Sequence, residues 1–318
     1  KQRKRIFLTA SGNDGCIGTI AKEEESLPVE SQVNTSKHLG NQLSTRRRDI
    51  LKSVLVQSSI IFGLGCTVPE KQAAHAAQAV LPDLGEISAA IPTTWDIENP
   101  FQNSGTASVS SDFARLDSSP DSKFYAEARF VEHVDDNVVK LMTEYIANNL
   151  KSGDSVLDIG SSWTSHIDKS TEGKLSRVAG LGMNEEELSA NPSLTEKAVL
   201  DLNSNPAPEL PYADGSFDVV LCQLSIDYFV HPLELMKEVS RVLKSNGRVI
   251  ILFSNRLFLS KAVGVWTGAD DIDHAYTVGA YLHYSGGAFE DIKANDLSTR
   301  KKGKVVGDPL YVVTARRL

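Results

Sequence analysis

The sequence predicts an α/β fold: an open, mostly parallel sheet with helices on both faces. Three observations carry the prediction. Val156, Leu157 and Ile159 form a short, partly β-branched apolar run that ends in a turn at Gly160. Apolar strand-like stretches alternate with a helix-like stretch from Lys197 to Phe253. Two further strand-like runs, Phe289–Ala294 and Leu310–Ala315, close the chain as an antiparallel pair.

In chain order, Phe124 to Leu150 reads as a helix, because Phe130, Val134, Val138, Leu141 and Tyr145 recur at three- and four-residue steps. The first strand follows at Ser155–Ile159. Its turn, Gly160-Ser161-Ser162-Trp163-Thr164, lies where an open α/β sheet takes its ligand. Arg177–Leu181 is the second strand, running into Gly182-Met183 and a helix start at Glu185–Leu188. Lys197–Leu202 (KAVLDL) is a third strand ending in an acid, and Glu209–Leu224 is a turn cluster feeding a fourth. From His231, Leu233, Leu235, Val239 and Val242 fall near helical spacing, with Lys237, Glu238 and Arg241 on the wet face. Asn246-Gly247 stops that helix, and Arg248–Phe253 is the fifth strand. Ser260–Trp266 and Asp273–Ser285 read as helices over the cleft.

The order L-P-x-x-D-x-S-F-D, strand, helix, R-V-L-K-x-x-G, strand resembles the class I S-adenosyl-L-methionine (SAM) methyltransferases, in particular the ubiquinone/menaquinone-methylase subgroup. The resemblance spans roughly residues 125 to 315. It implies a Rossmann-like, seven-stranded methyltransferase sheet, mostly parallel with an antiparallel last strand. It also implies SAM as cofactor, with contacts from Asp158, Gly160, Ser161 and Ser162 in the first turn, Gly182 and Met183 after the second strand, Asp201 and Leu202 at the adenine, and Gln223 on the methionine side. Two positions depart from the pattern. The family's acid-x-Gly-x-Gly-x-Gly becomes Asp158-x-Gly160-x-Ser162-x-Thr164, and Gly182 stands where an acid clamps the ribose hydroxyls. His166, Asp227 and His231 are the candidate bases for acceptors that need one. A capping or loop role explains His231 as well, and His133 reads as a packing residue. Two functions stay open: methyl transfer to a small or lipid-like acceptor, or a non-catalytic binding or assembly module that has lost SAM binding.

Charge excludes another class. The net charge is −8; the first 79 residues hold 11 basic and 7 acidic side chains and the remainder 22 and 34. An acidic body without a basic stripe argues against nucleic acid as partner. Ser165-His166 invites a hydrolase reading, but adjacent residues rarely align as nucleophile and base, and no third partner is evident.

The chain before residue 123 is of another kind. Residues 80–122 are rich in Ser, Pro, Asn and Asp and read as an extended arm or linker ahead of a domain at 123–318. Arg46-Arg47-Arg48-Asp49-Ile50-Leu51-Lys52, the apolar Val54–Cys66 and the small-residue site Ala77-Gln78-Ala79 fit a twin-arginine export signal over 46–79. Residues 1–45 then read as a leader, similar to the two-part presequence of chloroplast proteins bound for the thylakoid lumen, a reading that brings the protein near the thylakoid membrane. A bacterial periplasm is the alternative address. Cleavage after Ala79 would remove Cys16 and Cys66 and leave Cys222 alone, a buried small hydrophobe rather than a nucleophile.

Overall fold

The computed structural model describes residues 87–101 and 112–318; the leader and export segment read at 1–79 lie outside the described residues. Strand β1 (Ser155–Ile159) pairs in parallel with β2 (Arg177–Gly182) on one side and β4 (Phe217–Gln223) on the other. Its last four residues are buried, as a central parallel strand covered on both faces requires. β3 (Glu196–Val199) lies outside β2, and β5 (Leu243–Phe253) lies beyond β4. The final strand, β9 (Tyr311–Arg317), enters antiparallel between β5 and β6 (Phe289–Asp296), giving seven strands in the order β3-β2-β1-β4-β5-β9-β6. A small hairpin, β7 (Arg300–Lys301) with β8 (Lys304–Val305), lies in the β6–β9 connection. The predicted Rossmann-like methyltransferase sheet with an antiparallel last strand is thus the observed one.

Alternate residues of each strand feed two apolar layers. On one face, Leu157, Ile159, Val220 and Cys222 pack with Leu235, Met236 and Val239 of helix α5 (Pro232–Val242) and with Val278 and Tyr281 of helix α6 (Asp271–Tyr284). On the other, Val156, Val219 and Ile250 meet Val138, Met142 and Ile146 of helix α2 (Asp136–Asn149). The chain ahead of the sheet joins the first layer: Phe101 and Phe113 are buried against Tyr281, with ring centroids at 5.3 and 6.0 Å. Gly279 makes room for the same leading segment, because a Cβ would lie 2.5 Å from Ile91 Cδ1 and 3.2 Å from the Trp95 ring.

Several elements differ from their sequence expectation. The helix expected over Phe124–Leu150 is two pieces, α1 (Asp121–Phe124) and α2, with an extended stretch between. Asp135 ends that stretch by capping α2, its carboxylate accepting from Val138 N at 2.9 Å. The intervening residues cross the sheet's carboxyl edge instead of burying an apolar face, leaving Phe130 and Val131 exposed. Helix α5 ends at Val242 rather than at Asn246, because Leu243 already pairs with Phe217 in the sheet. Residues 260–266 form turns, not a helix. They pair with the arm instead: Arg115 bridges Val263, and Asp117 N donates to Ser260 O at 2.8 Å.

Candidate functional site

The carboxyl ends of β1, β2, β3 and β4 open into one cleft of about 1160 Å³ including its mouth. The arm from Asp121 to His133, together with Phe258, forms its outer wall. Gly160, Ser161, Ser162, Gly182, Met183, Asp201, Leu202, Gln223, Asp158 and His166 all line it, so the turn and strand-end residues singled out in the sequence converge on one place. Asp227 and His231 do not line it. Asp227 is buried behind the wall, and the half-buried His231 ring stands at the start of α5.

The turn after β1 is tight. Gly160 has φ +69°, and a Cβ there would meet Ser225 Cβ and Oγ at 2.7 Å. Ser161 N bonds Leu181 O at 2.9 Å, which draws the turn down onto the end of β2. The Ser161 carbonyl consequently fills the space beside Gly182, so no side chain fits at that residue. Glu187, nine per cent exposed, supplies a carboxylate to the same wall. Its Oε2 accepts from Ser162 Oγ at 2.6 Å and its Oε1 from Arg129 N at 2.7 Å. Glu187 is the third residue of helix α4 (Glu185–Ala190), whose start Asn184 caps through bonds from Glu186 N and Glu187 N at 2.9 and 3.0 Å. An N-x-x-E pattern normally turns its acid back on the cap. Here that acid ties turn and arm together, and the pattern marks only the helix start, not this use of the acid.

Deeper in the cleft lies a polar network. Asp158 accepts from Ser165 Oγ at 2.7 Å and from Gln223 Nε2 at 3.1 Å. Burial pushes its carboxyl upward against the lowering effect of the Ser165, Ser161 and Gln223 hydrogen bonds. Asn191 Nδ2 in turn donates to Ser165 Oγ at 2.9 Å, so Ser165 is a structural link and no nucleophile. Gln223 Nε2 also donates to Ser165 O at 3.1 Å, which leaves Gln223 Oε1 as the acceptor facing His166 Nδ1 at 3.0 Å. His166 Nε2 faces Glu132 Oε2 at 3.2 Å. Both ring nitrogens are thus engaged. Trp163 stands at the rim, its N–H directed to Val131 O at 3.4 Å.

At the opposite end, Asp201 Oδ1 accepts from Asn203 N at 2.9 Å. Asn203 then reaches across to the arm, donating to Asp121 Oδ2 at 2.8 Å and to Tyr228 O at 3.0 Å. Asp121 is the centre of a clasp. Arg115 Nη1 lies 2.8 Å from its Oδ2, and the Lys261 ammonium, with no exposure at all, lies 3.3 Å from Oδ1 and 3.0 Å from Asp117 Oδ2. Burial raises the Asp121 carboxyl, but hydrogen bonds from Arg115, Asn203 and Lys261 outweigh it and hold the group below the usual range. At Asp227 the balance is reversed: burial pushes it up to about 8 against hydrogen bonds from its own backbone and Tyr228, and its Oδ2 has no hydrogen bond among the described residues. Desolvation lowers His231 and His133. Glu132, Arg129, Glu187, Asn203 and Phe258 were not singled out in the sequence as site residues: Glu187 turns to the cleft from α4, and the others reach it only through the arm or a neighbouring loop. Among the described residues no group of three or more His, Cys, Asp or Glu could hold a metal, and no helix is long and apolar enough to cross a membrane.

A sheet of this strand order, with a cleft of this make-up at the ends of β1 to β4, is the arrangement expected from the resemblance to SAM-dependent methyltransferases. Residues 157–251 match the family model described as a methyltransferase domain. The chain is similar to the ubiquinone/menaquinone biosynthesis C-methyltransferase UbiE of Geotalea uraniireducens, 41% identical over 68 residues that cover 21% of this chain and 29% of the relative. It is 31% identical to the demethylmenaquinone methyltransferase of Halalkalibacterium halodurans over 110 residues, covering 33% and 44%. It is 30% identical to the malonyl-acyl-carrier-protein O-methyltransferase of Marinomonas sp. over 92 residues, covering 29% and 33%. The matched stretch spans less than half the length of each of these relatives.

Proposed function

We propose that the domain transfers a methyl group from SAM to a small or lipid-like acceptor. The observation that carries the proposal is the convergence of the β1 turn, the bare end of β2, Asp201-Leu202 and Gln223 on one cleft. SAM is the cofactor of the superfamily, and the residues present fit it. Leu181, Leu200 and Leu202 offer apolar surface for a flat base, and the Asp201 carboxylate is an acceptor for its exocyclic amine. Glu187 offers acceptor oxygens beside the position from which Gly182 excludes an acid. Asp158, Glu132 and the Ser161 and Ser162 hydroxyls supply a polar, acidic end for an ammonium group.

When bound, SAM supplies an electrophilic methyl on a sulfonium. The protein's part in such chemistry is alignment of nucleophile and leaving group in a dry, fixed geometry, which needs no catalytic triad. The arm supplies that enclosure: Tyr125, Arg129, Glu132 and His133 wall the cleft, and the Lys261 clasp anchors the arm just ahead of them at Asp117 and Asp121. The two turns that differ from the family pattern favour this chain's own solution, in which Ser162 and Glu187 bond each other across the loop. The names of the similar proteins, which act on quinones and on a malonyl-acyl-carrier protein, support a lipid-like acceptor. The basic and apolar segments at 46–79 support export in a folded state, to the thylakoid lumen or, alternatively, a periplasm.

Calorimetric titration of SAM and S-adenosylhomocysteine into the purified chain tests the proposal, with Asp201→Ala as control. Micromolar binding that weakens by roughly tenfold or more in the control is expected, the magnitude of losing a hydrogen bond to a charged group. No binding up to millimolar ligand by folded protein would refute it and leave a non-catalytic module.

A further inference from the structure

We propose that Arg129 is an anion-binding element of the acceptor site, and that the acceptor is a carboxylate carried on an apolar chain. The proposal rests on the methyltransferase reading and specifies its substrate class. Arg129 lies on the extended stretch between α1 and α2 and lines the cleft. Its guanidinium lies against an edge-to-face pair of rings, 4.5 Å from the centroid of Phe124 and 5.6 Å from that of Phe258. Among the described residues one N–H is used, Nη2 donating to Phe124 O at 2.8 Å. A guanidinium has five donors, so most of its edge is left for a ligand.

No carboxylate forms an ion pair with it among the described residues. Arg115 and Lys261, the other cations of this wall, are neutralised by Asp121 and Asp117. The acids nearby are occupied as well: Glu187 takes Ser162 Oγ and the Arg129 backbone, and Glu132 faces His166. Arg129 is therefore the uncompensated charge of the acceptor wall, held rigid and partly desolvated. A planar two-oxygen anion complements such a site through paired, charge-assisted hydrogen bonds.

The surroundings specify the rest of the ligand. Tyr125, Tyr228 and Phe258 make the adjoining wall aromatic. Phe130, Val131 and Leu259 are 47, 54 and 59% exposed. Val131 also lines the cleft, and Phe130 and Leu259 are the chain neighbours of the lining residues Arg129 and Phe258, so exposed apolar side chains flank the cleft wall. Exposed apolar area bordering a cleft marks a binding surface.

Of the three bases singled out in the sequence none stands free in the cleft, and such an acceptor makes no demand on the remaining histidine of the wall, His133. His166 has both ring nitrogens engaged, and Asp227 and His231 do not line the cleft. An ionised carboxylate needs none. One C–O bond forms from a carboxylate oxygen to the methyl carbon, the C–S bond breaks with its electron pair going to sulfur, and no proton moves.

The test is calorimetry on the full chain saturated with S-adenosylhomocysteine, comparing decanoate with uncharged decanamide. Decanoate should bind at least about tenfold more tightly. Arg129→Gln should abolish that preference while changing the affinity for S-adenosylhomocysteine by less than about twofold, and Arg129→Lys should retain part of it, since a point charge loses only the paired geometry. Equal affinities, no decanoate binding at millimolar concentration, or a preference that survives in Arg129→Gln would overturn the proposal. Should Arg129→Gln fail to fold, the parent's preference and Arg129→Lys still decide. Should S-adenosylhomocysteine not bind, the cofactor reading fails by itself, and the decanoate preference is measured on the ligand-free chain.

Discussion

Replacing Gly182 by Asp would restore the acid that related methyltransferases carry at the end of the second strand, yet the structure predicts damage rather than repair. A Cβ at this residue falls well inside van der Waals contact with the Ser161 carbonyl oxygen and lies 3.1 Å from its carbonyl carbon and 3.2 Å from Leu188 Cδ2. Comfortable carbon–carbon contact is about 3.5–4.0 Å. The obstacle is main chain, which cannot swing aside as the tip of a flexible side chain could. Retreat of the turn would stretch the Ser161 N to Leu181 O bond of 2.9 Å, the rung that continues the β1–β2 pairing. Overpacking of this kind costs about 1–3 kcal/mol, and a weakened backbone bond adds about 1 kcal/mol. Each kcal/mol lowers Tm by about 2–4 °C in a domain of this size. Gly182→Asp should therefore melt roughly 4–15 °C below the parent by circular dichroism, and bind S-adenosylhomocysteine no better. A variant that melts with the parent and binds this ligand more tightly would refute the reasoning.

Two other perturbations follow from the buried charges. Lys261→Met removes an ammonium with no solvent exposure and leaves Asp121 with one cation fewer, which should cost about 3–5 kcal/mol in urea unfolding; an unchanged midpoint would show the clasp to be energetically idle. Asp227, raised by burial to about 8, keeps a proton in the folded state that the unfolded chain releases near pH 4. Between those values the unfolded state binds fewer protons, so the parent loses stability as pH rises, whereas Asp227→Asn does not. The variant should match the parent near pH 4 and exceed it increasingly toward pH 8, and parallel pH–stability curves would contradict this.

The sheet was legible because its strands are continuous apolar runs and its connections carry turn residues. Val156–Ile159, Val219–Cys222 and Val249–Phe253 lie in the observed strands, and Leu235, Val239 and Val242 in the observed helix α5. What failed was local periodicity read without tertiary context. Phe130 and Val134 keep helical spacing with Val138, yet only Val138 lies within a helix, because Asp135 starts α2 after them. The cleft floor was legible as a set of strand ends. Its outer wall was not, since Asp121 meets Lys261, and Glu187 meets Ser162, across separations that no local pattern encodes. The consequence of Gly182 was hidden too: the letter records a missing acid, while only the backbone shows that Ser161 has taken its place.

The clasp at Lys261 also governs how the doorway can move. An arm held by scattered surface contacts peels residue by residue; this one is fastened by an ammonium shut away from water between carboxylates of the arm itself. Lifting it would hydrate the Lys261 ammonium and uncover Asp121 together, Asp117 being open to water already, and carry the Asp121–His133 wall along. Opening is thus all-or-none. Salt weakens exposed charge pairs far more than enclosed ones, so the entrance should hold its shape across the ionic swings of whatever compartment the protein occupies.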